Sequence, residues 1–343
     1  MTEKSPSLPS LSIQRRWLNE TVGFADLSHR GRLCALGEDR TTFLHGRLTN
    51  DIRSLKKGEG CYAAMTDNKG RVQADMQVYN LGDEYLIDYA VTEPDTVQGE
   101  LNRYLVSEDV TIADARPYFD LITIQGPLAD ESLAILERPF ERFPKSDGIA
   151  ALDHPDLGQL YLANHARTGS DGIDVYLEKD QKQRLLDHLT LRCRELNGGN
   201  VDIEAIDLQR AAKGIPDFVK DMQDRVLPVE VGIDSRSVSY RKGCYIGQEV
   251  LNRLRTRGEP ARHLVRLDFS SSDIPLTGNT PVYSDGKEIG HLTQTVFQHE
   301  AQGPWSAFAL IKRQSAAAGT PIRLDPKQET AQGKIVAKIE LKP

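Results

Sequence analysis

Residues 241–249 read Arg-Lys-Gly-Cys-Tyr-Ile-Gly-Gln-Glu, and no other stretch carries so much chemistry in so few positions. Cys244 lies between two glycines, just after Arg241 and Lys242, and a helical pattern follows from Gln248 to Arg255. A thiol reacts as its thiolate, and nearby cations or a helix N-terminus favour that form. Gly243 and Gly247 permit backbone conformations and close approaches that a Cβ would block. Two readings fit these residues. Cys244 is a ligand-facing or reactive thiol on a loop, or it is a small apolar residue buried at a loop-to-helix junction.

Outward from this stretch, Arg236, Arg241, Lys242, Arg253, Arg255, Arg257 and Arg262 form a local basic run in a chain whose net charge is −7. Such a concentration suits one anionic ligand or partner, or else a solvated helix face. The acidic balance argues against bulk nucleic-acid binding, which needs clustered cations. At 343 residues the chain can build more than one core, and 39% hydrophobic with 27% charged residues is ordinary for a globular protein. Cys34, Cys61, Cys193 and Cys244 are widely spaced, with no CxxC pair, so neither a zinc site, nor a cysteine-held cluster, nor a disulfide scaffold is expected. Residues 1–12 read as a loose polar tail, no run is long enough to span a membrane, and the expected compartment is the cytoplasm.

The pattern between these landmarks mixes strands and helices. Strands are expected at 32–37, 61–66, 72–79, 84–90, 121–125, 159–163 and 172–177. In the third of these, Val72, Ala74, Met76 and Val78 alternate with Gln73, Asp75 and Gln77. Helices are expected at 40–48, 95–105, 129–136, 180–196 and 204–213. This mixture without long βαβ spacing indicates an α+β fold with antiparallel sheet. Beyond residue 259 short strands at 263–269, 280–283, 288–297, 307–311, 321–324 and 334–341 indicate a small barrel or sandwich. The domain reading is therefore a tail at 1–12, an α+β region at 13–258 and a β-barrel at 259–343.

Lys242-Gly243-Cys244-Tyr245-Ile246-Gly247-Gln248-Glu249 resembles the signature of the YgfZ family, folate-binding proteins that assist iron–sulfur enzymes. That family is similar to the T-protein, the aminomethyltransferase of the glycine cleavage system. Further matches run along the chain: Phe24-Ala25-Asp26-Leu27-Ser28-His29 with a Phe-Asp-Val-Ser-His segment, and Leu48-Thr49-Asn50-Asp51 with a Thr-Asn-Asp element. Gln125-Gly126-Pro127 and the segment from Leu227 to Ile233 complete the order. The resemblance implies a GcvT-like fold of two intertwined α+β lobes around a central folate-sized hole, plus a C-terminal small β-barrel.

It also implies function. The chain would bind tetrahydrofolate or another reduced folate and act as an accessory to maturation or repair of iron–sulfur enzymes, its transient partners. Neither a nucleic acid nor a membrane partner is expected, and the chain would be a monomer. Cys244 is the expected key thiol, with Lys242 and Asp95 as further catalytic candidates and no protein-held metal. Asn50, Asp51, Tyr85, Asp95, Arg210, Arg241, Tyr245, Gln248 and Glu249 are the candidate folate contacts. Tyr85 faces either the hole or away from it. Asp95, seven residues after Asp88, matches a T-protein aspartate near the reacting folate nitrogen, or simply opens a helix. The sequence departs from T-proteins at Arg210-Ala211-Ala212-Lys213-Gly214, where Ala212 replaces a glutamate that can grip the pterin by two bonds. Asp207 or Asp217 is available to replace that carboxylate. The alternative activity is one-carbon transfer of the aminomethyltransferase type, for which Asp95 is the candidate acid. A cysteine hydrolase would need a histidine base, and His263 and His291 are the candidates.

Overall fold

The computed structural model describes residues 8–91, 96–133, 147–270, 277–298, 305–325 and 332–342. The chain forms two compact units, each assembled from two separated stretches. One combines Met1–Arg30 with Ala115–Lys213, and the other combines Gly31–Asp114 with Gly214–Pro343.

The first unit opens with helix α1 (Leu11–Glu20) and strand β1 (Gly23–Asp26). Helix α1 thus begins at Leu11, inside the stretch expected as a tail, and its Leu18 is buried with Ala205 and Ile206. Its sheet runs β11-β1-β7-β10-β9-β8, with β7 at Phe119–Gln125, β8 at Ile149–His154, β9 at Gly158–Asn164, β10 at Gly172–Glu178 and β11 at Gly199–Asn200. Four residues are too few for β1 to announce itself by periodicity. It is held by antiparallel pairing with β7 on one side and parallel pairing with β11 on the other. Helix α5 (Lys182–Glu195) follows the expected amphipathic run. Its Leu185, Leu189 and Cys193, four residues apart, are buried against Ile122, Ile124, Leu160, Leu162 and Val175 of the sheet. Each fully buried leucine contributes roughly 1.5–3 kcal/mol. Helix α4 is observed only at Ala129–Ser132, and positions 134–136 of the expected helix lie outside the described residues. Helix α6 (Ile203–Ala212) completes the unit.

The second unit contains a five-stranded antiparallel sheet, β3-β4-β5-β2-β6, formed by β2 (Gly31–Leu36), β3 (Gly60–Thr66), β4 (Val72–Asn80), β5 (Tyr85–Tyr89) and β6 (Thr111–Asp114). Helix α2 (Arg40–Arg47) follows β2, and α3 occupies Thr96–Asn102, shorter than the expected 95–105. Residue 95 lies outside the described residues. Short helices α7 (Phe218–Asp221) and α8 (Asp234–Ser237) precede α9 (Gln248–Arg257), which extends two residues past the expected end.

The C-terminal strands close into a six-stranded barrel, β12-β15-β14-β13-β16-β17. They are β12 (Arg262–Phe269), β13 (Pro281–Ser284), β14 (Lys287–Gln298), β15 (Trp305–Lys312), β16 (Pro321–Arg323) and β17 (Gln332–Lys338). Val265, Leu267 and Phe269 point inward at period two and meet Ala307, Ala309 and Ile311. Register shifts in three strand pairs supply the bends that closure needs. Among the described residues no helix is long and apolar enough to cross a membrane.

Candidate functional site

The octapeptide lies in the second unit, beside the outer edge of β3. Leu48 bridges Met65 on that edge, and Thr49 holds the segment by bonding Ala64 and the carbonyl of Ser237. Asn50 donates from its amide to the carbonyls of Tyr62 and Arg236, each at 2.8 Å, so its side chain ties three chain segments together. The structure thus gives Asn50 a scaffolding contact at each amide hydrogen.

Lys242 is almost fully buried. Its ammonium donates to the carbonyls of His45, Leu48 (2.6 Å) and Asn50 (2.8 Å). These carbonyls end or follow α2, where the helix dipole concentrates negative potential, so a cation belongs there. Burial nevertheless pushes the Lys242 pKa down to about 8, and Arg53 adds to the fall while Asp51 and Cys61 oppose it. The same ammonium sits 4.9 Å from the Tyr245 ring centroid. Lys242 therefore works as a peg between the octapeptide and α2, its ammonium donating to three backbone carbonyls.

Gly247 has φ +87°, and a Cβ there would fall 2.7 Å from the Asp67 carbonyl oxygen and 2.8 Å from Gly70 Cα. The Thr66 hydroxyl donates to the Ile246 carbonyl at 2.6 Å. The second half of the octapeptide is thus pressed onto the β3–β4 turn, where only glycine fits. Gly243 has open space around it, so its absence of a side chain answers no packing need. Cys244, between these fixed points, is exposed. The reading of a buried apolar cysteine is overturned.

The remaining candidates separate. Tyr245 is buried with its hydroxyl unpartnered among the described residues, and burial raises its pKa to about 12. Gln248 folds back toward the Lys242 and Gly243 carbonyls, and Glu249 and Arg241 are exposed. Asp51 lies 3.2 Å from His45 Nδ1. Burial, Lys242 and Arg53 hold the His45 pKa below its ordinary value against the pull of Asp51. Tyr85 faces the α2 side of its sheet, where its hydroxyl bonds Thr41 at 3.0 Å. Arg210, on α6, belongs to the other compact unit, and Asp95 falls outside the described residues.

The basic run is largely absorbed by structure. Arg262 grips Glu230 through Nε and Nη2 at 3.2 and 3.1 Å, and Arg255 stacks 4.4 Å from the Tyr240 ring. Arg241 and Arg253 remain exposed. Asp217, a candidate to replace the absent glutamate, caps α7 by accepting from Lys220 N–H at 3.0 Å. The histidines are also engaged: His291 contacts Asp224 at 2.5 Å, and His263 meets Lys338 at 3.2 Å.

The profile of the GCVT N-terminal domain family matches residues 9–242. The aminomethyltransferase of Staphylococcus carnosus (strain TM300) is 25% identical over 340 residues, covering 97% of this chain and 90% of that protein. The crystal structure of the glycine cleavage system aminomethyltransferase T from Bartonella henselae is similar with a TM-score of 0.82 and 17% identity, over 97% of this chain and 89% of that one. At that identity the likeness establishes a shared fold.

Proposed function

The chain belongs to the GCVT N-terminal domain family, and on that premise we propose that it binds a reduced folate, tetrahydrofolate or a derivative. Two finer readings share this ligand. One-carbon transfer of the aminomethyltransferase type draws its support from the comparisons, since a curated relative of that name aligns along nearly the whole chain. The comparisons taken alone weigh toward it.

The second reading is a folate-dependent accessory to iron–sulfur enzymes, and it draws its support from the residues. Cys244 stands exposed on a loop whose two ends are pinned, by Lys242 to α2 and by Gly247 to the β3–β4 turn. That observation carries the accessory reading, because a transferase working through a carboxylate has no use for such a thiol. Ala212, where a T-protein has its pterin-gripping glutamate, points the same way. In this reading Cys244 is the working group and Lys242 its anchor.

One pair of measurements separates them. Incubation with tetrahydrofolate and an aminomethyl donor yields methylene-tetrahydrofolate under the transferase reading and none under the accessory reading. Cells carrying Cys244→Ser lose iron–sulfur enzyme activity under the accessory reading. Unchanged activity there removes the thiol from the account.

A further inference from the structure

The wall of the C-terminal barrel is held unevenly. Among the described residues β13 pairs with β14 from Pro281 to Ser284, but with β16 only where Tyr283 faces Arg323. Strands that share a single rung part on either side of it. At this seam a cavity of about 290 Å³ opens, lined by Tyr283, Asp285, Pro321, Arg323 and Gln332 among others. Val282 and Ile322 are packed in the barrel core. The next residue along each strand, Tyr283 and Arg323, turns toward solvent, as strand alternation requires.

The frame of this cavity is fixed. Asp285 has φ 48° and Gly286 φ 70° between the paired Ser284 and Lys287, which is the signature of a two-residue type I′ hairpin turn. The Ser284 hydroxyl donates to the Pro321 carbonyl at 2.8 Å and ties that turn to β16. The polar groups on the lining are uncommitted. Among the described residues, the Arg323 guanidinium, the Asp285 carboxylate, the Tyr283 hydroxyl and the Gln332 amide have no hydrogen-bond or ion-pair partner in the protein. A bare anion would be drawn to Arg323 and repelled by Asp285, and a bare cation the reverse. A ligand that carries both charges satisfies both groups, and a guanidinium fork suits a carboxylate. The volume sits just under the range of about 300–1,000 Å³ that holds drug-sized ligands, so the ligand is small.

We propose that this barrel cavity binds a small zwitterion, a free α-amino acid, with its carboxylate on Arg323 and its ammonium on Asp285. The site lies within the barrel and does not depend on the folate reading. The test is calorimetric titration of wild type, Arg323→Gln and Asp285→Asn with each of the common L-amino acids. Succinate, which carries only negative charge, and putrescine, which carries only positive charge, are titrated alongside. Asparagine is itself favoured in a type I′ turn and Arg323 is exposed, so both variants should melt as the wild type does.

The expected result is that at least one amino acid saturates the wild type and binds each variant at least tenfold more weakly, while succinate and putrescine do not displace it. Equal binding by all three proteins puts the ligand elsewhere and overturns the proposal. So does a loss confined to one variant, since both charges are required. Displacement by succinate or by putrescine would make this a site for one charge and overturn the zwitterion. Binding of no amino acid by the wild type overturns it outright. Should either variant fail to fold, Arg323→Met or Asp285→Gly takes its place, and the same tenfold loss is required of it.

Discussion

Lys242 illustrates how one residue serves as a device. Three carbonyls converge on its ammonium, and a compact point charge suits them where a flat guanidinium does not. Lys242→Met strands those carbonyls and should cost about 1–3 kcal/mol, with faster hydrogen exchange across residues 241–247. Lys242→Arg should not restore protection. Unaltered exchange in Lys242→Met would mean that the loop is held by other contacts. Gly247→Ala tests the other pin. With φ at +87° and Asp67 and Gly70 in contact, it should destabilise the protein clearly, whereas Gly243→Ala should be nearly silent in a denaturation curve. The nine-residue stretch itself pointed to Cys244 and its glycines, because their chemistry is local. It could not show where the Lys242 side chain goes, since its acceptors lie almost two hundred residues earlier in the chain.

At the scale of elements, buried charges set the pH behaviour. Arg167 meets Asp174 of β10 at 2.6, 2.9 and 3.0 Å, with His165 3.0 Å away. Burial alone would raise the Asp174 pKa, but Arg167 and His165 outweigh it and hold the carboxyl well below its ordinary value. Its contribution is complete above the ordinary aspartate range of about 3.9 and is lost as pH falls toward the folded value. Arg167→Met removes the guanidinium that faces this buried carboxylate, leaving His165 beside it, and should cost about 3–5 kcal/mol at neutral pH by chemical denaturation.

Asp221 has the opposite sign. Burial raises it to about 6, although the Asp217 N–H at 2.7 Å and the Thr293 hydroxyl at 2.6 Å favour its charged form. A carboxyl that keeps its proton longer when folded stabilises the protein below about pH 4, and that contribution fades as pH rises through about 6. On the order of 3 kcal/mol should disappear across this interval, and Asp221→Asn should flatten the dependence. A wild-type profile without that slope would contradict the assignment. None of these pairs was legible from sequence, because each depends on which residues the fold buries together.

For the whole molecule, strongly periodic segments were the legible ones. The α5 pattern of Leu185, Leu189 and Cys193 declares itself through one-sided burial, and the period-two run of β4 through its buried Val72, Ala74, Met76 and Val78. Strands β1 and β6, four residues each, did not, because their pairing partners are remote in sequence. The barrel was legible as a set of short strands and turns, but its closure rests on bulges that leave no local signal. The burial of Gln77 was equally invisible, since an alternating strand reads the same whether its polar face is wet or dry.

A ligand that binds only the folded chain raises its stability by mass action, about 2.7 kcal/mol at one hundred times Kd. The most direct measurement is therefore equilibrium dialysis of the purified chain against tetrahydrofolate, with thermal melting at each concentration. A folate-binding chain shows saturable binding of one folate per chain and a melting temperature that climbs with ligand. A flat dialysis isotherm with unmoved melting would contradict folate binding.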